Sequence, residues 1–170
     1  MIQNKGIWIA AQIADKLDKH LIMAGSGVTG YGDGWVEADG LRMEGNLSYV
    51  GAVAGKARTD LMRKADAVLS PTLYIEPFGA VAVEAQLCGI PAVTTDWGAF
   101  PGTVVNGLNG YRFRTLTEGV EAVKKSARLD PMTIANHARS KYRLDAIAPL
   151  YDNWFQRLDG LRDKGWMGDY

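Results

Sequence analysis

Short apolar runs alternate along this chain with segments of helical periodicity, and glycine or proline stands at many of the boundaries. Residues 20–24 stop at Gly25, and residues 91–94 follow a helical segment that stops at Gly89. Such runs suit strands buried on both faces, and strands that alternate with helices form a parallel sheet covered by helices. We therefore predict an α/β protein with a doubly wound parallel sheet. The strands are expected at residues 20–24, 47–50, 67–69, 91–94 and 111–113, and the helices at 7–17, 58–65, 79–89, 117–129, 131–143 and 146–161.

Residues 25–40 are rich in glycine and show no periodicity, so we predict a loop there. Residues 25–30 match G-x-G-x-x-G, but a dinucleotide fingerprint needs a helix to begin at that point. The following residues 31–35 are unsuited to a helix. A nicotinamide-dependent dehydrogenase is therefore a distant alternative, although the carboxyl end of a parallel sheet is where ligands bind.

The start of the chain is unusual for this fold class. A helical pattern begins after only five residues, whereas the first strand of a doubly wound sheet usually lies at its centre. We expect a sheet that lacks its first strand. The position of that strand would be vacant, filled by a strand of a neighbouring molecule, or covered in a packed dimer. A homo-oligomer is therefore among the expected assemblies.

Composition excludes several function classes. The 19 basic and 19 acidic side chains balance, which removes the electrostatic footprint of a nucleic-acid binder. A single Cys88 and two histidines provide neither a disulfide framework nor a cysteine-based zinc site, so no metal is expected. No targeting segment and no apolar run of about 18 residues is visible, so we expect a cytoplasmic protein.

The segment 70–84 combines two carboxylates with the start of a predicted helix. Glu76 lies just before that helix, and Glu84 lies in its second turn among apolar residues, where an unpaired carboxylate would be costly. Backbone N–H groups without an intrahelical partner lie between them, at Phe78, Gly79, Ala80 and Val81. Because a helix start favours an anion, this arrangement suits a nucleotide sugar, with its diphosphate between sugar and ribose. The alternative makes Glu76 a helix-dipole partner and Glu84 a solvated residue.

Residues 76–113 resemble the signature of the retaining family-four (group 1) glycosyltransferases, which have the GT-B fold of two Rossmann-like domains. The matching motifs are Glu76 and Glu84 in E-x7-E, Gly89-Ile90-Pro91, Thr95-Asp96-Trp97-Gly98 and Asn106-Gly107-Leu108-Asn109-Gly110. Lys5-Gly6 and residues 24–27 and 50–53 also occur in the family's order, so the resemblance covers nearly the whole chain. It implies the C-terminal, donor-binding domain of such an enzyme.

The resemblance also implies roles for individual residues. Glu76 corresponds to the carboxylate that holds the donor sugar near the reacting carbon, and Glu84 to the one that holds the ribose hydroxyls. Lys5 corresponds to the lysine that neutralises the leaving diphosphate, and Val53 to the position whose backbone reads the base. The main-chain amides of residues 78–81 would contact the sugar and the diphosphate. From its position alone, Lys5 would be an exposed terminal charge.

The resemblance implies a nucleotide diphosphate sugar as donor, no metal or other cofactor, and an acceptor glycan, lipid or small molecule bound by an N-terminal domain outside this chain. Residues 1–145 would form the nucleotide-sugar domain. Residues 146–170 would form a C-terminal helix and tail directed toward that other domain. For the full-length enzyme, a location at the membrane periphery is a second expectation beside the cytoplasmic one. A non-catalytic donor-binding subunit and a sugar-nucleotide epimerase of the same fold stay open as alternatives.

Two departures from the family pattern stand out. The family usually has an arginine a few residues before the lysine, but residues 1–4 contain none. Gly102 stands where the family usually has a glutamate, so either a donor contact or a packing partner is missing. A further stripe at helical spacing is expected to pack or to face a partner; it comprises Leu150, Trp154, Phe155, Leu158 and Leu161, with Trp166 beyond it.

Overall fold

The computed structural model describes residues 3–162. A 3-10 turn (Gln3–Lys5) precedes the first helix. The helices are α1 (Ile7–Lys16), α2 (Gly55–Met62), α3 (Ala80–Leu87), α4 (Phe100–Thr103), α5 (Leu116–Ser126), α6 (Pro131–Tyr142) and α7 (Leu144–Arg162). The strands are β1 (Leu21–Met23), β2 (Val28–Gly32), β3 (Trp35–Ala38), β4 (Leu41–Glu44), β5 (Leu47–Tyr49), β6 (Val68–Ser70), β7 (Ala92–Thr95) and β8 (Gly110–Phe113).

The parallel strands confirm the predicted α/β class. β1 pairs with β5 in one sheet, while β6, β7 and β8 form a second sheet in that order. Each of these five strands lies within one residue of its predicted bounds or inside them. Within residues 3–162 the two parallel sheets are not hydrogen-bonded to each other, which is the kind of gap expected of a doubly wound sheet without its first strand.

The prediction of a loop over residues 25–40 is wrong. β2, β3 and β4 form an antiparallel meander there, and β3 buries Val36 and Ala38 on alternate positions. Asp39 and Gly40 form the two-residue turn between β3 and β4, with φ values of 52° and 75°. Positive φ at both turn residues is the geometry that Asp-Gly favours in hairpins. The high glycine content obscured this local signal.

Three clusters of buried side chains hold the elements together. One joins α1 and α5 to the β6–β8 sheet, and another fastens the meander to β1 and β5. The third consists of Ala82, Ala92, Phe100 and Val104, all of them buried. It joins the start of α3 to β7 and to α4, a short helix that the sequence pattern did not predict. This third cluster therefore positions the segment that carries the candidate site.

The last helix leaves much of its apolar stripe on the surface. Leu150, Trp154 and Phe155 are each more than half exposed, whereas Leu158 and Leu161 are partly buried. The exposed part of the stripe does not pack against the described residues of the domain core, so its expected partner stays a prediction. Trp166 lies outside the described residues. None of the helices described in residues 3–162 has both the length and the apolar character needed to cross a bilayer.

Candidate functional site

A close backbone approach shapes the segment that carries Glu76. Gly98, in the turn after β7, has a φ of 63°, and a Cβ there would lie 2.6 Å from the Glu76 nitrogen and 2.7 Å from its carbonyl oxygen. The N–H of Ala99 donates a 2.8 Å hydrogen bond to that same carbonyl oxygen. The glycine is therefore required for the turn to hold the backbone of Glu76 in place.

Lys5 is brought to the same place by the packing of the chain start. A Cβ at Gly6 would lie 1.9 Å from the carbonyl oxygen of Pro71, so α1 begins directly against the segment after β6. The N–H of Leu73 donates to the carbonyl of Asn4 at 2.7 Å. As a result, Lys5 Nζ lies 3.4 Å from Glu76 Oε2, across 71 positions of sequence. Lys5 is thus ion-paired, not simply an exposed terminal charge.

Tyr74 completes this group, and the sequence pattern did not single it out. Its hydroxyl donates to Glu76 Oε2 and accepts from Lys5 Nζ, and the ammonium of Lys5 lies 4.5 Å from the centre of the Tyr74 ring. The available signal was its spacing of two residues from Glu76, which places side chains on one side of an extended segment. Tyr74 thus bridges the lysine and the carboxylate.

The charges of this pair support each other. Burial disfavours the charged form of both groups, but the hydrogen bond to Tyr74 and the attraction of Glu76 outweigh it at Lys5 and raise the lysine pKa above its ordinary value. Burial likewise opposes ionisation of Glu76, while hydrogen bonds from Tyr74 and Lys5 and the attraction of Lys5 bring its pKa below the ordinary value. The pair is therefore ionised at neutral pH.

Glu84 lies on α3 with its side chain toward α2. Its Oε1 forms an ion pair with Nη2 of Arg58 at 2.9 Å, and the side chains of Glu84 and Arg58 are 31% and 44% exposed, respectively. Its Oε2 is buried and has no hydrogen-bond partner among the described residues. The sequence indicated that this carboxylate needs a partner but did not identify Arg58. The available signal was an arginine within the helix predicted over residues 58–65.

The remaining predicted residues lie near the two carboxylates. Gly79 is the N-cap of α3 and makes no side-chain capping bond; its own N–H donates to Glu76 Oε1 at 3.4 Å. Phe78, Ala80 and Val81 are exposed around this helix start. Val53 is half-buried in the segment that leads from β5 into α2, five positions before Arg58. The exposed residues Ala80 and Val81 at the start of α3 can therefore present backbone N–H groups to an anion.

The turn after β7 is also fastened to β8, through Asp96. Its Oδ1 accepts from Nε of Arg112 at 2.7 Å and its Oδ2 from Nε of Arg114 at 3.1 Å. Gly102 lies in α4, where an added Cβ would meet no atom within 4 Å. The glycine that replaces the family's usual glutamate therefore leaves no packing defect at its Cβ position.

Comparison with known proteins agrees with this geometry. A family model described as "Glycosyl transferases group 1" matches residues 2–128. Curated relatives include the D-inositol 3-phosphate glycosyltransferases of Mycobacterium bovis and Mycobacterium tuberculosis, which are 35% identical over 127 residues. That match covers 72% of this chain but 25% of each relative, so the match spans about a quarter of the relatives' length.

Solved structures show the same fold at lower identity. AviGT4, a glycosyltransferase involved in avilamycin A biosynthesis, superposes with a TM-score of 0.71 at 23% identity. The superposition covers 91% of this chain and 48% of the AviGT4 chain. HepE of Anabaena, solved with UDP-glucose, superposes with a TM-score of 0.55 at 24% identity. The superposition covers 66% of this chain and 32% of the HepE chain. These likenesses establish a Rossmann-like half of a GT-B fold.

Proposed function

The chain belongs to the group 1 glycosyl transferases, and from that membership we propose that it is the donor-binding domain of an enzyme that transfers a sugar from a nucleotide diphosphate sugar to an acceptor hydroxyl. The observation that carries the proposal is the ion pair of Lys5 and Glu76 beside the first turn of α3. It combines a cation, a carboxylate and exposed backbone N–H groups within one small area. A diphosphate joined to a polyhydroxyl group needs these partners.

Each part of the donor has a candidate partner. The diphosphate would lie at the start of α3, where the helix dipole and the Lys5 ammonium favour negative charge. Glu76 would accept hydrogen bonds from hydroxyls of the donor sugar, and the partly buried Glu84 from hydroxyls of the ribose. Val53 would contact the base through its backbone. Positive charge at the leaving group would thus come from Lys5 and the helix, and we propose no metal for this role.

We propose that transfer proceeds with retention. The acceptor oxygen attacks the anomeric carbon on the face that the diphosphate leaves, forming the new C–O bond while the bond to the diphosphate oxygen breaks. The acceptor's proton goes to the departing phosphate, and the products are the glycoside and the nucleoside diphosphate. Lys5 stabilises the charge that develops on the leaving group, the kind of electrostatic contribution that dominates many such reactions.

The acceptor would bind outside these 170 residues. The match spans about a quarter of the relatives' length, and we assign both Glu76 and Glu84 to the donor. We therefore expect this chain by itself to bind a donor and to transfer nothing. Acceptor-dependent transfer by the 170-residue chain would contradict this assignment, and release of an altered sugar nucleotide from donor alone would favour an epimerase.

Calorimetric titration tests the donor site. UDP, GDP, ADP and their common sugar conjugates would be titrated into the chain, beginning with UDP-glucose because HepE was solved with it. We expect one nucleotide to be selected and its affinity to fall at least about tenfold in Glu84→Ala, the scale of a lost hydrogen bond to a charged group. Glu121→Ala, which removes an exposed carboxylate of α5, is the matched control. Binding of no nucleotide would refute the proposal.

A further inference from the structure

The carboxylate of Glu84 is held from one side only. Oε1 forms an ion pair with Arg58 Nη2 at 2.9 Å, whereas Oε2 is buried without a hydrogen-bond partner among the described residues. A buried carboxylate oxygen that lacks a donor is costly, so the Glu84 carboxylate retains unused capacity to accept hydrogen bonds. We propose that Arg58 is a positioning residue, which holds the Glu84 carboxylate in the orientation that accepts hydrogen bonds from the ribose hydroxyls of the donor. This inference rests on the proposed function.

Arginine suits this task because its guanidinium is planar and directs its N–H groups in a rigid fork. An ion pair between Nη2 and one carboxylate oxygen limits rotation of the carboxylate about its last side-chain bond, and this sets the orientation that the carboxylate offers to a ligand. Without Arg58, Glu84 could turn toward solvent, since its side chain is 31% exposed. The carboxylate would remain, but it would no longer be held in one orientation.

The ion pair also joins two elements of the site. None of the residues of α2 is buried, so little apolar packing holds this helix against α3. The ion pair between Lys56 and Asp60 lies within α2 and does not fasten the helix to a neighbour. Because Val53 lies just before α2, Arg58 links the segment proposed to read the base with the carboxylate proposed to read the ribose.

Discrimination between ribose and deoxyribose measures this positioning. The nucleoside diphosphate selected in the titration above, for example UDP, would be compared with its 2′-deoxy and 3′-deoxy forms on one protein preparation. We expect the unaltered chain to prefer the ribonucleotide over at least one deoxy form by about tenfold, a typical size for a lost hydrogen bond to a charged group. In Arg58→Ala the preference for the ribonucleotide should fall to about twofold or less. The separate variant Arg58→Lys should retain part of that preference, because it keeps the positive charge but not the planar guanidinium.

Two controls separate positioning from charge and from folding. Arg63→Ala removes the same charge from the exposed end of α2 and should leave the ratio unchanged. The ratio of two ligands on one variant does not depend on the fraction of protein that is folded, and the melting temperature of Arg58→Ala should fall by no more than about 4 °C because the pair is partly exposed.

The outcomes distinguish this inference from the proposed function. If Glu84→Gln loses the ribose preference while Arg58→Ala keeps it, Arg58 is not a positioning residue and the donor site stands. An equal loss in Arg63→Ala would also overturn the inference, since net charge alone would explain it. If the unaltered chain binds no nucleoside diphosphate, the proposed function and this inference fall together.

Discussion

Replacing Gly98 with alanine should both destabilise the fold and damage the donor site. The residue has a φ of 63°, which alanine adopts only at a cost, and its new Cβ would lie 2.6 Å from the backbone nitrogen of Glu76. Neither contact atom belongs to a flexible side chain, because the nearest three atoms are all backbone atoms of Glu76. The turn or the Glu76 segment must therefore move.

The expected magnitude has two parts. The left-handed conformation costs a non-glycine residue about 1–2 kcal/mol, and displacing a packed backbone segment adds a similar amount, so the free energy of unfolding should fall by roughly 2–4 kcal/mol. For a domain of this length that corresponds to a melting temperature lower by roughly 5–15 °C. Because the displaced segment carries Glu76, the variant should bind a nucleotide sugar more weakly relative to the bare nucleoside diphosphate.

Thermal unfolding followed by circular dichroism, with titration of UDP-glucose and UDP below the transition, measures both effects. Gly102→Ala is the matched control: no atom lies within 4 Å of its added Cβ, and alanine in a helix is more favourable than glycine by about 1 kcal/mol. A melting temperature for Gly98→Ala within about 2 °C of the unaltered chain would contradict this prediction, because it would show that the turn relaxes without strain.

Three further substitutions test the electrostatics and the capping. Lys5→Met should raise the pKa of Glu76 toward its ordinary value, seen by carboxyl NMR, and weaken nucleoside diphosphate binding about tenfold, while Lys5→Arg keeps both. In the unaltered chain, the hydrogen bond from Arg112 lowers the pKa of Asp96. Asp96→Asn removes this ionic pair and should lower the free energy of unfolding by about 1–2 kcal/mol at pH 7. Because the folded-state pKa is depressed, that contribution is present above about pH 4 and is lost as the pH falls below it, so urea unfolding at pH 3 should show a smaller difference. Thr115→Ala removes the capping box of α5 and should cost about 1 kcal/mol, whereas Thr115→Ser should not.

Each of these outcomes can fail in a recognisable way. An unchanged Glu76 pKa in Lys5→Met would mean that Tyr74 alone holds the carboxylate in its charged form. An equal deficit for Asp96→Asn at pH 3 and pH 7 would indicate a packing effect in place of an ionic one. Identical melting curves for the two Thr115 variants would show that the N-cap oxygen contributes nothing to the stability of α5.

Local patterns predicted most of the parallel framework. Short apolar runs that end at glycine predict the buried strands, and the start of the E-x7-E segment predicts α3. These signals are visible in the sequence because they involve only residues that are neighbours along the chain. The meander of β2, β3 and β4 was equally local, and Asp39-Gly40 is a strong hairpin signal. The many glycines of residues 25–40 favour a loop, and the alternating apolar positions Val36 and Ala38 are too few to outweigh them.

What the sequence alone determined is which side chains could carry chemistry: Glu76, Glu84 and Lys5 were identified from residue type, spacing and family resemblance. Which groups meet was decided only by the tertiary structure. Lys5 reaches Glu76 across 71 positions because the start of α1 packs on the segment after β6, and Arg58 reaches Glu84 because α2 lies against α3. The physical reason is that an ion pair between distant segments depends on how helices and loops pack, and no periodicity or spacing along the chain encodes that contact.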